Sequence, residues 1–289
     1  MLRKLVSRGL GALCAAAAAE IFAVAAHATP VVLTDGTSDN SSATIDPLAQ
    51  SGQSTWVVSG VNHLAQQWFW YSVGTSAPQS ISTLSNTHLF TDPVNGILNA
   101  TYTGDGFTLN LGVTFQGSGI VEQINVTPSA TLTGDVASAA GLNFHLYQYS
   151  DFNLNGTAAG DTLNLSGTPT INTADQTKGG TKANYGAVSN ATTSEYQTGT
   201  GSTIKGLLNN GVNPVTLSDN STGPVLGDDN FAFEWDQSIG PSGNLQVSIT
   251  QSIQGGNIVP LPNAAYGTLA LMALLGGVGL VRKVAKRIA

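Results

Sequence analysis

Cysteine is nearly absent from this chain of 289 residues, in which Cys14 is the only one. It lies in an apolar N-terminal stretch and follows Leu13, whereas a lipoprotein signal requires a small residue at that point. The rest of the chain therefore has no disulfide, no thiol nucleophile and no thiolate metal site. A core of apolar side chains must stabilise it alone, and about 230 residues are enough for such a core.

Positive charge is also scarce in the middle of the chain. From Thr29 to Ile258 there are three lysines, no arginine and 16 acidic residues, which gives a formal charge of −13. A surface of this sign repels a phosphate backbone, so nucleic acid is excluded as a partner. It suits solubility outside the cell and attracts divalent cations.

The sequence between the two ends lacks helical periodicity and instead alternates apolar and polar residues with a period of two. This pattern is typical of strands with one buried face, and Gly- and Asn-rich turns separate the strands. We predict an all-β exported domain over residues 29–256, an antiparallel β-sandwich for which jelly-roll and immunoglobulin-like topologies both stay open. The clearest strands are predicted at 107–115, 142–149, 231–235 and 245–249.

Four other segments have weaker patterns. Residues 62–69 fit a short helix as well as a strand, and residues 203–210 fit a second short helix. Residues 215–220 are predicted as a short strand. The Thr-, Gly- and Asn-rich stretch 165–202 is predicted to form long loops or an edge hairpin.

Catalytic motifs are missing as well. The sequence has no H-x-x-x-H, H-E-x-x-H or G-x-S-x-G, and its histidines after residue 28 stand alone. A carboxylate pair for glycoside hydrolysis, such as Glu122 with Glu195 or Glu234, is open but unsupported. We therefore predict that the protein is not an enzyme and needs no cofactor.

One turn resembles the first half of a calcium-binding loop. In the sequence DFNLNG at 151–156, Asp151, Asn153 and Asn155 offer the hard oxygen ligands that calcium prefers, but the closing glutamate is missing. In the alternative interpretation, Phe152 and Leu154 enter the core and the three polar residues face water. We favour this alternative and predict no metal site, with calcium at Asp151, Asn153 and Asn155 left as an open possibility.

Aromatic residues are concentrated in QQWFWYSVG at 66–74. Such a row can stack on sugar rings, which is one interpretation. We favour the other, in which Trp68 and Trp70 share one face and pack in the core while Phe69 and Tyr71 lie on the opposite face.

The two ends read as targeting segments. Residues 1–28 combine a basic patch, an Ala-rich apolar run and an A-x-A site ending at Ala28, which predicts a secretory signal peptide. Residues 264–281 contain no charge and would span about 27 Å as a transmembrane helix. The basic tail, residues 282–289, would stay in the cytoplasm. Its orienting cations are Arg282, Lys283, Lys286 and Arg287.

The C-terminal sequence VPLPNAAYGTLALMALLGGVGLVRK resembles the PEP-CTERM sorting signals, in particular the subgroup beginning V-P-L-P-A. In this resemblance the motif lies in a linker at 257–263 and consists of Val259, Pro260, Leu261 and Pro262. The family implies recognition by an exosortase, a membrane-embedded cysteine transpeptidase, and a Gram-negative cell envelope. Stretches such as LNFHLYQYSDFNL and FAFEWDQSI also resemble PEP-CTERM proteins of unassigned function, which offer no catalytic residues to compare.

These observations lead to one expectation about function. We expect a non-enzymatic protein of the cell envelope or extracellular matrix, exported through the inner membrane and associated with exopolysaccharide or biofilm. The first alternative is a calcium-dependent carbohydrate-binding module, and the second is a secreted glycan hydrolase.

Overall fold

The computed structural model of the chain describes residues 29–37, 40–129, 141–211, 215–220 and 223–255. Strands, most of them antiparallel, make up 61% of the structure and helical turns 8%, which confirms the all-β prediction. The predicted signal peptide, sorting motif, transmembrane helix and basic tail lie outside the described residues. Within the described ranges no helix is long and apolar enough to cross a membrane.

Eighteen strands, one α-helix and short 3-10 turns make up the described residues. The strands are β1 Val31–Leu33, β2 Ser42–Asp46, β3 Gly52–Val58, β4 Val61–Asn62, β5 Leu64–Val73, β6 Gln79–Ser80, β7 Ser85–Asp92, β8 Ile97–Gly104, β9 Phe107–Gln116, β10 Gly119–Pro128, β11 Leu142–Phe152, β12 Asp161–Ser166, β13 Thr173–Lys178, β14 Thr181–Ser189, β15 Thr193–Gly199, β16 Val225–Gly227, β17 Asn230–Ile239 and β18 Leu245–Gln254. The helix, α1, is Gly201–Leu208, and the 3-10 turns are Ile81–Thr83, Pro93–Asn95 and Leu154–Gly156.

The strands form two sheets of nine strands each in the described part of the chain. Sheet A has the order β1-β2-β3-β5-β11-β17-β15, with β4 and β6 paired at its side, and sheet B has the order β16-β12-β13-β14-β18-β10-β9-β8-β7. The total of eighteen strands exceeds the eight or so strands of a jelly roll and the roughly seven to nine of an immunoglobulin domain.

Alternating side chains from the facing sides of both sheets form the core. In β9 the apolar residues from Phe107 to Phe115 are buried while the residues between them are not, as the period of two predicts. Aromatic rings link the sheets: Tyr185 of sheet B stacks on Phe233 of sheet A at 5.2 Å between ring centroids. At the other end of the sandwich, Phe107 meets Phe144 edge-on at 5.0 Å.

The middle strands of sheet A are buried on their outer side too, because α1 packs there. Trp70 Nε1 donates a hydrogen bond to Asn209 Oδ1 at 3.1 Å, just beyond the end of the helix. Lys205 Nζ donates to Gln66 Oε1 at 2.8 Å and lies over the ring of Tyr149. Strands β5, β11 and β17 consequently carry large side chains on both faces, so strict alternation is lost in them.

Three assignments from the sequence are corrected by the fold. Most of residues 62–69 belongs to β5 and is not helical, whereas α1 confirms a short helix near 203–210. The stretch 165–202 contains β13, β14 and β15, and β14 lies inside sheet B between β13 and β18. Residues 215–220 form no strand but run across the outer face of sheet A.

Candidate functional site: a carboxylate and imidazole row on sheet A

Four ionisable residues lie in neighbouring register on the outer face of sheet A. His145 of β11 is directly opposite Asp236 of β17, and Glu234 of β17 is directly opposite Glu195 of β15. Since residues two apart on a strand share a face, Glu234 and Asp236 point to the same side. We call these four residues the carboxylate–imidazole row.

Short contacts connect the row. His145 Nδ1 is 2.5 Å from Asp236 Oδ1 and 3.6 Å from Glu234 Oε1. The other oxygen of Glu234, Oε2, accepts a hydrogen bond of 2.8 Å from the backbone N–H of Leu217. Segment 215–220 therefore fixes the Glu234 carboxylate from above, while the strands position it from below.

The same segment orders the tyrosine beside the row. Tyr147 follows His145 on the same face of β11, and its hydroxyl donates to the carbonyl oxygen of Val215 at 2.8 Å. Ser72 Oγ lies 3.4 Å from that hydroxyl. Tyr147 and Ser72 thus form the buried side of the row, next to Glu234.

Several polar atoms of the row have no hydrogen-bond partner among the described residues. They are Glu234 Oε1, Glu195 Oε2 and His145 Nε2, all shielded from solvent. The side chain of Glu234 is 0% exposed, while His145 and Asp236 keep 15% and 22% of their side-chain surface. Unpartnered buried polar atoms are costly, and a ligand that reached the row would supply the contacts that these three atoms lack.

The local charges shift the ionisation of the row. The hydrogen bond to Asp236 and the nearby Glu234 carboxylate raise the pKa of His145 to about 10, so the imidazole is protonated at neutral pH. Burial, and then the charges of Asp236 and Glu234, raise the pKa of Glu195 to about 7. Burial also raises the pKa of Glu234, although the nearby His145 imidazolium opposes the shift. The row therefore combines a cation, an anion and a carboxyl group that can hold a proton, as acid–base sites do.

Neither carboxylate pair suggested by the sequence forms, because both pairs include Glu122. Glu195 and Glu234 are neighbours on sheet A, whereas Glu122 belongs to β10 of sheet B and is only 3% exposed between the sheets. Its Oε2 accepts hydrogen bonds from Gln67 Nε2 and from Gln251 Nε2, the latter at 3.0 Å. Burial raises the pKa of Glu122 to about 8, so this carboxyl is neutral at pH 7 and has a structural role between the sheets.

The residues suggested for calcium make other contacts. Asp151 Oδ2 accepts from the hydroxyl of Tyr149 at 3.1 Å. Asn155 Oδ1 accepts from Thr181 Oγ1 at 2.7 Å, and its amide donates to the carbonyl of Lys178. Asn153 Oδ1 is buried and has no partner among the described residues. A calcium loop at 151–156 stays a prediction.

The aromatic row at 66–74 does not present a sugar platform. Trp68 and Trp70 are 2% and 0% exposed, and they lie on the outer face of sheet A beneath α1 and the turn that contains Ser80. Phe69 is on the opposite face, in the core between the sheets. The prediction that these rings are packed is confirmed, but the predicted faces are reversed, because Phe69 and not Trp68 or Trp70 enters the core between the sheets.

Sequence reasoning missed the role of Asp236 and of His145. The signal was the alternation in FAFEWDQSI: once Phe231, Phe233 and Trp235 are assigned to the core, Glu234 and Asp236 must share the other face. The pairing of β11 with β17, which brings His145 to Asp236, is a long-range contact that no local pattern contains.

Comparisons with known proteins bear on the fold. No family model and no curated protein matches this sequence. Among solved structures, a bacterial glucoamylase complexed with acarbose aligns over 80% of this chain with a TM-score of 0.54 and 12% identity. The aligned part is 33% of that protein, so this chain spans about a third of its length.

A second structure, a putative aldose 1-epimerase from Escherichia coli K12, aligns over 78% of this chain and 99% of its own length. Its TM-score is 0.48 at 8% identity, which is too low to support an argument. At these identities the glucoamylase likeness shows the fold alone.

The likeness corrects the function expected from the sequence. A non-enzymatic matrix protein was expected, but the described domain has a fold that is found in carbohydrate-processing enzymes. The sequence-based statement that the protein is not an enzyme has no support from this fold. This chain is therefore similar in fold, over four fifths of its length, to part of a bacterial glucoamylase.

Proposed function

We propose that this protein is a carbohydrate-active protein that binds a glycan at the carboxylate–imidazole row. One observation carries the proposal: Glu195, Glu234 and His145 each present a shielded polar atom without a partner, on one face of one sheet. Carboxylate oxygens accept hydrogen bonds, and a protonated imidazole donates them. A ligand rich in hydroxyl groups can meet both needs, because each hydroxyl both donates and accepts.

Two further observations support a sugar as this ligand. The fold is similar to part of a glucoamylase whose structure was determined with acarbose bound. The exported part of the chain, with three lysines against 16 acidic residues, repels anionic ligands. We therefore expect neutral glycans to bind in preference to those that carry uronate or sulfate groups.

Acid–base catalysis on the bound sugar is the second candidate. Glu195 and Glu234 are opposed across neighbouring strands, where like charges are unfavourable, so one of the pair is expected to keep a proton. An acid beside a base is what the opening of a sugar ring or the cleavage of a glycosidic bond needs. Glu195 would act as the acid, because it is the more accessible of the two.

We also propose that the protein works outside the inner membrane. The basic patch and A-x-A site of residues 1–28 support export, and the VPLP motif, apolar run and basic tail support recognition by an exosortase-type transpeptidase. A polysaccharide of the cell envelope is then the available class of ligand. The single C-terminal span would hold the protein at the membrane until it is processed.

A glycan array followed by calorimetry tests the binding proposal. The array should contain neutral and uronate-containing oligosaccharides together with acarbose, and all samples should contain EDTA. We expect the neutral class to bind, and Asp236→Asn to weaken the best ligand by about 10-fold or more, as the loss of a charged hydrogen bond predicts. Asp105→Asn is the matched control, since Asp105 is an exposed carboxylate in the turn between β8 and β9.

The outcomes separate binding from catalysis. If no glycan binds, or if Asp236→Asn and Asp105→Asn bind equally well, the proposal is rejected. For any sugar that binds, NMR of the anomeric protons over several hours will show whether it is converted. Conversion that Glu195→Gln abolishes while binding persists would establish the second candidate, and the absence of any product would leave a binding protein.

A further inference from the structure

Three residues of the row are close enough to share one ion. One ligand atom from each of His145, Glu234 and Asp236 lies within 4.8 Å of the others. We propose that these three side chains form a binding site for a divalent transition-metal ion of the zinc class. The ion would replace the Nδ1 proton of His145, which is released to solvent, and would be held by Nδ1 and by one oxygen from each carboxylate.

The state of Glu234 is the main argument for an ion. Its side chain is fully buried, Oε2 is fixed by the N–H of Leu217, and Oε1 has no hydrogen-bond partner among the described residues. A buried carboxylate oxygen without a partner carries a large desolvation penalty. Oε1 faces His145 Nδ1 at 3.6 Å, too far for a hydrogen bond but on the side where an ion would bind.

The donor set selects the class of ion. Imidazole nitrogen with two carboxylate oxygens suits zinc and its neighbours in the first transition row, whereas calcium and magnesium prefer oxygen ligands only. Three protein ligands also leave a coordination position open, as in catalytic zinc sites. The partial exposure of His145 and Asp236 lets an ion enter from solvent without unfolding.

No other part of the described chain offers an equivalent group. Across those residues, this is the only set of three or more histidine, cysteine, aspartate or glutamate side chains that meets the distance criterion. The acidic turns around Asp151 and Asp229 do not form one, and the buried Asp161 between them is paired with Lys178 Nζ at 2.9 Å. The proposed ion thus belongs to the row and not to the calcium motif read from the sequence.

The inference shares residues with the proposed glycan site but does not rest on it. Metal binding is measured with no sugar present, and glycan binding is measured in EDTA. A protein that binds zinc but no glycan would retain this inference and lose the proposed function. A protein that binds a glycan but no zinc would retain the proposed function and lose this inference.

Calorimetric titration of the EDTA-treated and dialysed protein with zinc chloride provides the test. We expect a single ion per chain, with Asp236→Asn and His145→Gln each weakening binding by at least about 100-fold. The matched controls are Asp105→Asn and His88→Gln, which change an exposed carboxylate and an exposed imidazole elsewhere. They should bind as the wild type does.

Cobalt provides a second measurement that needs no variant. Co²⁺ in the wild-type protein should give visible absorption bands of a bound nitrogen- and oxygen-ligated ion, and zinc should displace them. Absence of zinc binding by the wild type, or equal affinity in Asp236→Asn and Asp105→Asn, would overturn the proposal. If His145→Gln fails to fold, the Asp236→Asn titration and the cobalt spectrum still decide the question.

Discussion

At the scale of single residues, burial and nearby charges assign different tasks to similar side chains. Glu122 is held between the sheets by two glutamine amides, where it is neutral and structural. Glu234 is as deeply buried but faces His145, and its second oxygen is left for a ligand. The chemistry of the site therefore follows from the strand on which a carboxyl lies and the face it shares.

The histidines should titrate differently in the metal-free protein. His145 should stay protonated until pH reaches about 10, because the Asp236 and Glu234 carboxylates stabilise the imidazolium. Burial lowers the pKa of His63, which should therefore be neutral at pH 7. NMR of ¹⁵N-histidine-labelled protein measures both, and Asp236→Asn should lower the midpoint of His145 alone. A midpoint for His145 near its ordinary value of 6.5 would refute the ion pair.

Glu122 should make stability fall with rising pH. Its folded pKa of about 8 is above the ordinary value of 4.5 for a glutamate carboxyl, so the folded protein binds an extra proton between these two pH values. The contribution is fully present below pH 4.5 and is lost as pH rises through 8. Glutamine has nearly the same shape as glutamate but does not titrate. As pH rises through this window, the free energy of unfolding of the wild type should therefore fall relative to that of Glu122→Gln by about 1.4 kcal/mol per pH unit.

Urea unfolding at a series of pH values measures this difference. In Asp105→Asn, which changes an exposed carboxyl, the free energy of unfolding should depend on pH as it does in the wild type over the same range. A constant difference between Glu122→Gln and the wild type would show that this carboxyl is already ionised in the folded state.

At the scale of elements, one-sided strands were predictable from the sequence and two-sided strands were not. The alternation in β9 and β18 identified their buried faces, because only one face of each is covered. β5 is covered by sheet B on one side and by α1 on the other, so its sequence does not alternate between apolar and polar residues. For this reason residues 62–69 also fitted a helix. β14 has small residues such as Ala183 and Ala187 on its buried face, so its composition resembled a loop.

The candidate site, too, could be predicted from the sequence only in part. The positions of Glu195, Glu234 and Asp236 on their strands follow from local alternation, but their meeting with His145 depends on the order β11-β17-β15. That order joins segments far apart in the chain, and a single sequence does not reveal it.

Two glycines of α1, Gly201 at its first position and Gly206 within it, should respond in opposite ways to substitution by alanine. A Cβ on Gly206 would meet nothing within 4 Å, so Gly206→Ala should stabilise the protein by about 0.5–1 kcal/mol through the helix propensity of alanine. A Cβ on Gly201 would lie 2.7 Å from the hydroxyl of Tyr149, so Gly201→Ala should destabilise it. Thermal unfolding of both variants measures the effect, and equal shifts would mean that α1 does not pack on β11.

At the scale of the whole molecule, charge divides the chain into three parts. The cations are concentrated in the two ends, while the domain between them carries the acidic residues. This division fits a negatively charged domain that is exported between two targeting segments. The same charge favours metal cations and neutral glycans over anionic ligands at the row.

The ends can be examined by mass spectrometry of the intact protein from cells with and without an exosortase. We expect the mature protein to begin at Thr29, after the A-x-A site. With exosortase present, the C-terminus should lie near Val259–Pro262, and without it the chain should end at Ala289. Identical C-termini in the two strains would contradict sorting by this enzyme class, and a retained residue 1 would contradict the signal peptide.

Glycan binding at the carboxylate–imidazole row can be decided by one NMR titration. Protein labelled with ¹⁵N-histidine is titrated, in EDTA, with the neutral oligosaccharide that binds best on the array. We expect the ring signals of His145 to shift in proportion to binding, while those of His63 and His88, which lie outside the row, stay in place. Saturable sugar binding that leaves His145 unmoved would contradict it.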